Sequence, residues 1–242
     1  MFSIVMPAYN AEKYIEESIC SILDQTYSCF ELLIVDDHST DTTLDIIKKY
    51  ANNDSRIKIF KNTSNLGVAE SRNKAIESAI YKYICFLDSD DMWEPQKLEE
   101  YKNAFQQGAT VLYSYYTRFS NEKKLNEVKC PLTIDYSELL KGNCIGNLTG
   151  AYNSEILGKI YQKKIHHEDY LMWLEIVKKA GEAKCIPKSL ARYRVESGSL
   201  SSNKIKSILW TWNIYKNELN YSYIYSIYLL LSSIKKALFK RF

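Results

Sequence analysis

Hydrophobic and polar positions come in alternating blocks along the first 113 residues. Phe2–Met6 is a short apolar run that predicts a strand, and Ile15, Ile19, Ile22 and Leu23 follow at helical spacing. Phe30–Val35 is apolar almost without interruption, as expected of a strand covered on both faces. Ser39-Thr40-Asp41 supplies a helix start ahead of Leu44–Tyr50. The beat continues with a predicted strand at Ile57–Phe60, helix at Val68–Ile80 and strand at Tyr83–Leu87, then a helix opening at Pro95 and a strand at Thr110–Tyr113. This alternation predicts an α/β fold: an open, mostly parallel sheet flanked by helices, with ligands beyond the C-terminal ends of its strands.

Past Tyr113 the pattern loosens. Arg118–Asp135 is polar and aperiodic, which predicts a mobile excursion rather than a domain boundary. A short helix is expected at Tyr136–Leu140, then a Gly/Asn-rich stretch at Gly142–Gly150 and a helix at Glu168–Ala180. From Lys204 the chain is helical by pattern and carries nine aromatic residues. The expected division is a catalytic domain over 1–203 and a basic, aromatic helical tail over 204–242, either packed on the body or lying at a membrane interface.

Composition narrows the function classes. The chain has 242 residues, 46% apolar and 25% charged, enough to bury a sizeable core. Its net charge of +3 is unevenly spread: the tail holds seven Lys/Arg against one acid, Glu218, for +6, which leaves −3 on the first 203 residues. A near-neutral body argues against nucleic acid, and the tail suggests an anionic surface. No two of the six cysteines have C-x-x-C spacing, so reduced thiols are expected rather than a zinc ribbon or redox motif. No basic region precedes the strand at Phe2, and the longest nearly apolar stretch, Ile224–Leu231, is far short of the ~20 residues of a helical membrane span. A cytoplasmic protein is expected, working at the inner face of the membrane if the tail binds there.

The chemistry sits at the predicted strand ends. Pro7-Ala8-Tyr9-Asn10 follows the first strand, Asp36-Asp37-His38-Ser39 the second and Asp88-Ser89-Asp90-Asp91 the fourth. Crowded carboxylates need a cation or hydrogen-bond donors to stay ionised; a hard divalent cation suits the cluster after the fourth strand, and hydrogen-bond acceptance the one after the second. Asp and Asn also favour turns and caps for local reasons, so each cluster alone is weak. His166 and His167 lack the helical spacing of a zinc site.

Ile4–Asn10, Val35–Asp41, Asn65–Asn73 and Asp88–Asp91 together resemble motifs of the family 2 glycosyltransferases of the GT-A fold. Glu168-Asp169-Tyr170-Leu171-Met172-Trp173 resembles that family's Glu-Asp motif at a helix start, and Tyr193-Arg194 with Ser199 and Ser201 its closing loop. The resemblance implies an inverting transferase moving a sugar from a nucleotide-sugar donor, UDP first, to a lipid-linked glycan acceptor in bacterial surface-polysaccharide assembly. It implies that Pro7, Ala8 and Tyr9 line the nucleoside pocket, Asp37 accepts from the base, Arg72 helps hold the nucleotide, and Asp88 lies near the ribose. Asp90 would hold Mn²⁺ or Mg²⁺, and Asp169 would be the general base. Where many relatives have a metal-binding His after the Tyr-Arg pair, this chain has Glu196, a carboxylate that suits the same ion. The alternative reading is a catalytically silent, nucleotide-binding partner subunit.

Overall fold

The structure, a computed structural model, describes residues 1–120, 123–195 and 204–239. Three β–α units open the chain: β1 (Phe2–Ala8), α1 (Ile15–Leu23), β2 (Phe30–Asp36), α2 (Thr43–Asn53), β3 (Ile57–Lys61) and α3 (Val68–Ser78). Next come β4 (Tyr83–Phe86), the two-residue β5 (Met92–Trp93), α4 (Lys97–Gln106) and the long β6 (Val111–Ser120). The rest comprises β7 (Lys123–Val128), β8 (Thr133–Asp135), α5 (Tyr136–Leu140), β9 (Ala151–Asn153), α6 (Ser154–Leu157), α7 (Glu168–Ala180), β10 (Glu182–Arg194), α8 (Lys204–Asn213) and α9 (Tyr223–Phe239).

One sheet runs β3-β2-β1-β4-β9-β6-β10-β5, with β7 beside β6 and β8 beside β10. The first four strands are parallel, with Ala8 in register with Asp36 and Val5 with Phe86. Parallel pairing of β2, β1 and β4 therefore delivers Tyr9, Asp37 and Asp88 to one edge. β9 is antiparallel to both β4 and β6, and β10 returns parallel to β6.

Strand side chains alternate between two core layers. On one side Ile4, Met6, Leu32, Ile34 and Cys85 pack with Ile15, Ile19, Ile47 and Leu98 from the helices. On the other, Val5, Leu33, Val35 and Phe86 pack with Ala75, Ile76 and α7. The tail joins this second layer through Ile214, Tyr215 and Leu229. Tyr215 donates to the Leu140 carbonyl at 2.6 Å, and Lys236 to that of Glu138 at 2.9 Å.

Arg118–Asp135 departs from its expectation as a mobile excursion. Its described residues form the end of β6, the hairpin strand β7 antiparallel to it, and β8 paired to β10. All of β7 except Val128 is exposed, so neither face carries the apolar alternation that reveals a strand. None of the six cysteines is in a disulfide, and three are buried.

Candidate active site

The loops after β1 and β2 are locked to each other before any ligand is considered. The Asn10 side chain accepts from the Thr40 backbone N–H at 2.9 Å, while Ser39 Oγ accepts from the Asn10 N–H at 3.1 Å. Glu12 accepts from the Thr42 hydroxyl, and Thr43 from the Ala11 N–H. Asn10 and His38 both adopt positive φ, 45° and 65°. Asn pays little for this conformation, and such outliers concentrate at working sites.

Pro7 and Ala8 are buried in β1, whereas Tyr9 stands half exposed at its end. Asp37 turns inward, 3% exposed. Its Oδ1 accepts from Asn62 Nδ2 at 2.7 Å and from the Leu66 N–H at 2.9 Å, and its Oδ2 from the Gly67 N–H at 2.8 Å. Burial pushes its pKa up, but these donors outweigh burial and hold it below the usual carboxylate value. Asp37 thus anchors the turn that opens α3. An ionised carboxylate offers about four lone-pair positions; these three donors take three of them, and Ser71 adds its own hydrogen bond to the pull.

Arg72 is the hub. It projects from α3, its side chain 6% exposed, and its fork reaches two distant segments. Nη2 donates to Asp88 Oδ1 at 2.7 Å, and Nη1 to Glu168 Oε1 at 3.1 Å and Gln162 Oε1 at 3.2 Å. Burial works against its charge, yet Asp88 and Glu168 more than compensate and raise its pKa. Beside it, Asn73 and Gln162 exchange two hydrogen bonds, Nδ2 to the Gln162 carbonyl and the Gln162 N–H to Oδ1. Arg72, expected to help hold the nucleotide, also ties Asp88 to Glu168.

Asp169 follows Glu168 in the first turn of α7, after His167 in the left-handed region at φ 60°. Burial raises the pKa of Asp169, the Arg72 charge pulls it down, and the Asp88 charge pushes it up again. Glu168 is likewise raised by burial against the pull of Arg72. Residues 72, 88 and 169 thus share one electrostatic environment.

The Asp88–Asp91 turn is fixed from the opposite side by Arg194 at the end of β10. Its Nε donates to the Asp90 carbonyl at 2.8 Å, its N–H to Asp91 Oδ1 at 2.9 Å, and Nη2 to Glu17 at 2.6 Å. The guanidinium stacks over Tyr14, 4.0 Å from its centroid. Asp91 is buried, and burial followed by the charges of Asp90 and Asp88 pushes its pKa well up. Asp90 is exposed on the lip, and Asp88 partly so. Among the described residues no three His, Cys, Asp or Glu cluster as metal ligands. Two carboxylates on an open lip fit the kind of Mg²⁺ or Mn²⁺ site that phosphate oxygens of a substrate complete. Glu196, the other expected ligand, lies outside the described residues, as do Ser199 and Ser201.

Sequence reasoning also missed the brace beneath α7. Trp93 Nε1 donates to the Leu148 carbonyl at 2.8 Å, and the Tyr101 hydroxyl and Lys97 Nζ both reach the Thr149 carbonyl. Lys97 is fully buried, which lowers its pKa to about 7, and lies 4.0 Å from the Tyr101 ring centroid. These donors seat Gly150 against Trp173, one helical turn after Asp169. A Cβ on Gly150 would lie 2.0 Å from Trp173 Cζ2. Gly150→Ala should therefore lower stability by roughly 1–3 kcal/mol through overpacking, read as a fall in the thermal unfolding midpoint. An unchanged midpoint would show that α7 is not seated by this contact.

His166 and His167 both pack against Trp210 of α8. The His166 ring stacks on Trp210 with centroids 4.2 Å apart, and the His167 ring meets the same indole edge-on at 5.3 Å.

Residues 3–166 match the family described as Glycosyl transferase family 2. TuaG of Bacillus subtilis, a glycosyltransferase assigned to teichuronic acid biosynthesis, is 34% identical over the whole chain and 97% of its own length. WfgD of Escherichia coli is a UDP-Glc:α-D-GlcNAc-diphosphoundecaprenol β-1,3-glucosyltransferase. It is 37% identical over 88% of this chain and 85% of its own. In three dimensions, S. aureus TarS in complex with UDP-GlcNAc superposes with a TM-score of 0.75 at 23% identity, covering 95% of this chain and 70% of TarS. That likeness shows the GT-A fold, and by its matched residues the chain belongs to glycosyl transferase family 2.

Proposed function

We propose that this chain transfers a sugar from a UDP-sugar, with inversion, to a hydroxyl of a lipid-linked glycan in surface-polysaccharide assembly. The observation that carries the reading is the Arg72 bridge, which joins Asp88 at the nucleotide end to Glu168, the residue just before Asp169. Donor and acceptor would meet across that bridge. WfgD, which uses a UDP-sugar and a diphosphoundecaprenol acceptor, is similar over most of its length, and this favours the same substrate classes here. Such an acceptor places the reaction at the inner face of the cytoplasmic membrane, with 1–203 as the catalytic domain and 204–242 as an appended helical element.

In this reaction the bond from the anomeric carbon to the diphosphate oxygen breaks, and its electron pair leaves with the nucleotide. The acceptor oxygen bonds to the opposite face of the same carbon, and its proton passes to Asp169. Direct displacement needs no enzyme nucleophile, unlike a retaining hydrolase with its second carboxylate. A divalent cation held by Asp90 and Asp88 would supply positive charge against the departing diphosphate. Tyr9 offers its exposed ring to the base, and Asp37 would accept from a base N–H.

Thermal unfolding with UDP, GDP and dTDP, each with and without Mn²⁺, tests the donor site. UDP at about 100 times its Kd should stabilise by ~2.7 kcal/mol, a rise of roughly 5–11 °C for a chain this size. The rise should need Mn²⁺ and vanish in Asp90→Ala. A rise with GDP or dTDP alone would overturn the UDP reading, and no rise with any of the three would overturn the nucleotide site. Turnover with donor and acceptor separates the enzyme from a silent subunit.

A further inference from the structure

The tail is two-faced. Ser226 and Leu229 of α9 point into the body, 0% and 1% exposed, with Ile214 and Tyr215 ahead of them. The opposite face of α9 carries Ile224, Ile227, Tyr228 and Leu231 at spacings of three and four, followed by Lys235. All four apolar residues are exposed, Ile224 by 84% and Leu231 by 62%. On the adjoining α8, Ile205 and Leu209 are exposed by 74% and 60%. A helix that has already buried one apolar stripe and still shows another to solvent marks an interaction surface.

Charge selects the partner. Residues 204–239 carry five lysines against Glu218 alone, and Lys240 and Arg241 follow in sequence. The acids packed against the tail are already engaged, Glu218 by Lys163 and Glu138 by Lys141 and Lys236. Lys163 and Lys164, on the segment leading to α7, are exposed. Apolar and aromatic side chains on one helix face with lysines beside them suit the headgroup boundary of an anionic bilayer. A second copy of the chain fits worse, since a two-fold contact would set one basic tail against another. Among the described residues no helix is long and apolar enough to cross a membrane, so the tail would lie on the surface.

We propose that the exposed face of α9, with Ile205 and Leu209 of α8, docks this protein on an anionic lipid surface. The surface is coupled to the chemistry through α8. Its Trp210 stacks on His166, its Ser207 and Thr211 lie 3.4 and 3.5 Å from the His167 ring nitrogens, and Asp169 is two residues further on. Through these contacts a docked tail would hold the first turn of α7, which carries Asp169, close to the layer where a lipid-linked acceptor resides. The inference rests on the acceptor class proposed above and gives it a physical address.

The test is flotation of the full chain with vesicles of phosphatidylglycerol and phosphatidylethanolamine, against phosphatidylcholine vesicles as control. Binding to the anionic vesicles is expected, weakening as salt is raised because exposed charges are screened within about 10 Å at 0.1 M. Ile224→Glu with Leu231→Glu should cut that binding at least about tenfold, given the cost of setting charges in an interface. The UDP-dependent thermal shift of the double variant should be unchanged, which shows it folded and separates failure of docking from failure of the donor site. Three results would each overturn the proposal: no flotation of the full chain, equal flotation with both vesicle types, or a double variant that binds like the parent. A dimer that the double variant dissociates, without flotation of the parent, would assign the face to a second copy.

Discussion

Asp169→Asn is expected to lower sugar transfer by roughly 10²–10⁴-fold, the usual contribution of a positioned base, while leaving the UDP-dependent thermal shift in place. Asn has nearly the same shape and serves as well near a helix start, so an ordinary capping role would survive the change. Burial raises the folded-state pKa of Asp169, so ionising it costs stability as pH rises through that value, and the neutral Asn removes that cost. The variant should therefore match the parent only below the ordinary Asp pKa of about 3.9 and be no less stable at pH 8. The rate of the parent should fall as pH drops through a value above the ordinary Asp pKa of about 3.9, because only the ionised carboxylate accepts a proton. Steady-state rates and thermal midpoints on both proteins from pH 5 to 8 make the comparison. Near-normal turnover in Asp169→Asn would remove Asp169 from the role of base.

The sequence reveals those parts of the molecule where local pattern and burial agree. β1 and β2 are buried along their whole lengths, so their runs are legible as apolar strings. Tyr136–Leu140 and Glu168–Ala180 form helices over the expected residues. The later strands were illegible for physical reasons. β9 has only three residues, and β10 runs for 13 with exposure alternating irregularly around Pro187 and two register shifts against β6. In the site, the motif positions identify the carboxylates but not what each one faces. Asp37 reads as a ligand-facing acid, and only tertiary structure shows that it already accepts from Asn62, Leu66 and Gly67. Arg194 is visible in the sequence as half of a Tyr-Arg pair. Its grip on the Asp88–Asp91 turn joins residues more than a hundred positions apart, which no local pattern encodes. Gly150 gives no signal of its own beyond its residue type, because the demand on it comes from Trp173.

Arg72→Gln should change two observables together, and their pairing is the diagnostic. Arg72 faces Glu168, whose side chain is 16% exposed, and Asp88, 32% exposed. Removing one partner of a buried pair typically costs about 3–5 kcal/mol, and the low end applies because Asp88 reaches water. Glu168 and Asp169 already have raised pKa values despite the pull of Arg72, so losing that cation lifts both further. A carboxyl whose folded pKa lies above its unfolded one loses stability as pH rises, so the deficit of the variant should be small near pH 5 and grow toward pH 8. By the same shift, the acid limb of the rate profile should move to higher pH, since Asp169 gives up its ability to accept a proton sooner. Lys at this position restores the charge but lacks the planar fork that spans two carboxylates, so Arg72→Lys should return the rate profile toward that of the parent while recovering only part of the stability. A stability loss of this size with an unmoved acid limb would make Arg72 a structural strut. Both changes together would establish that the guanidinium sets the proton affinity of Asp169 across the gap between nucleotide and acceptor.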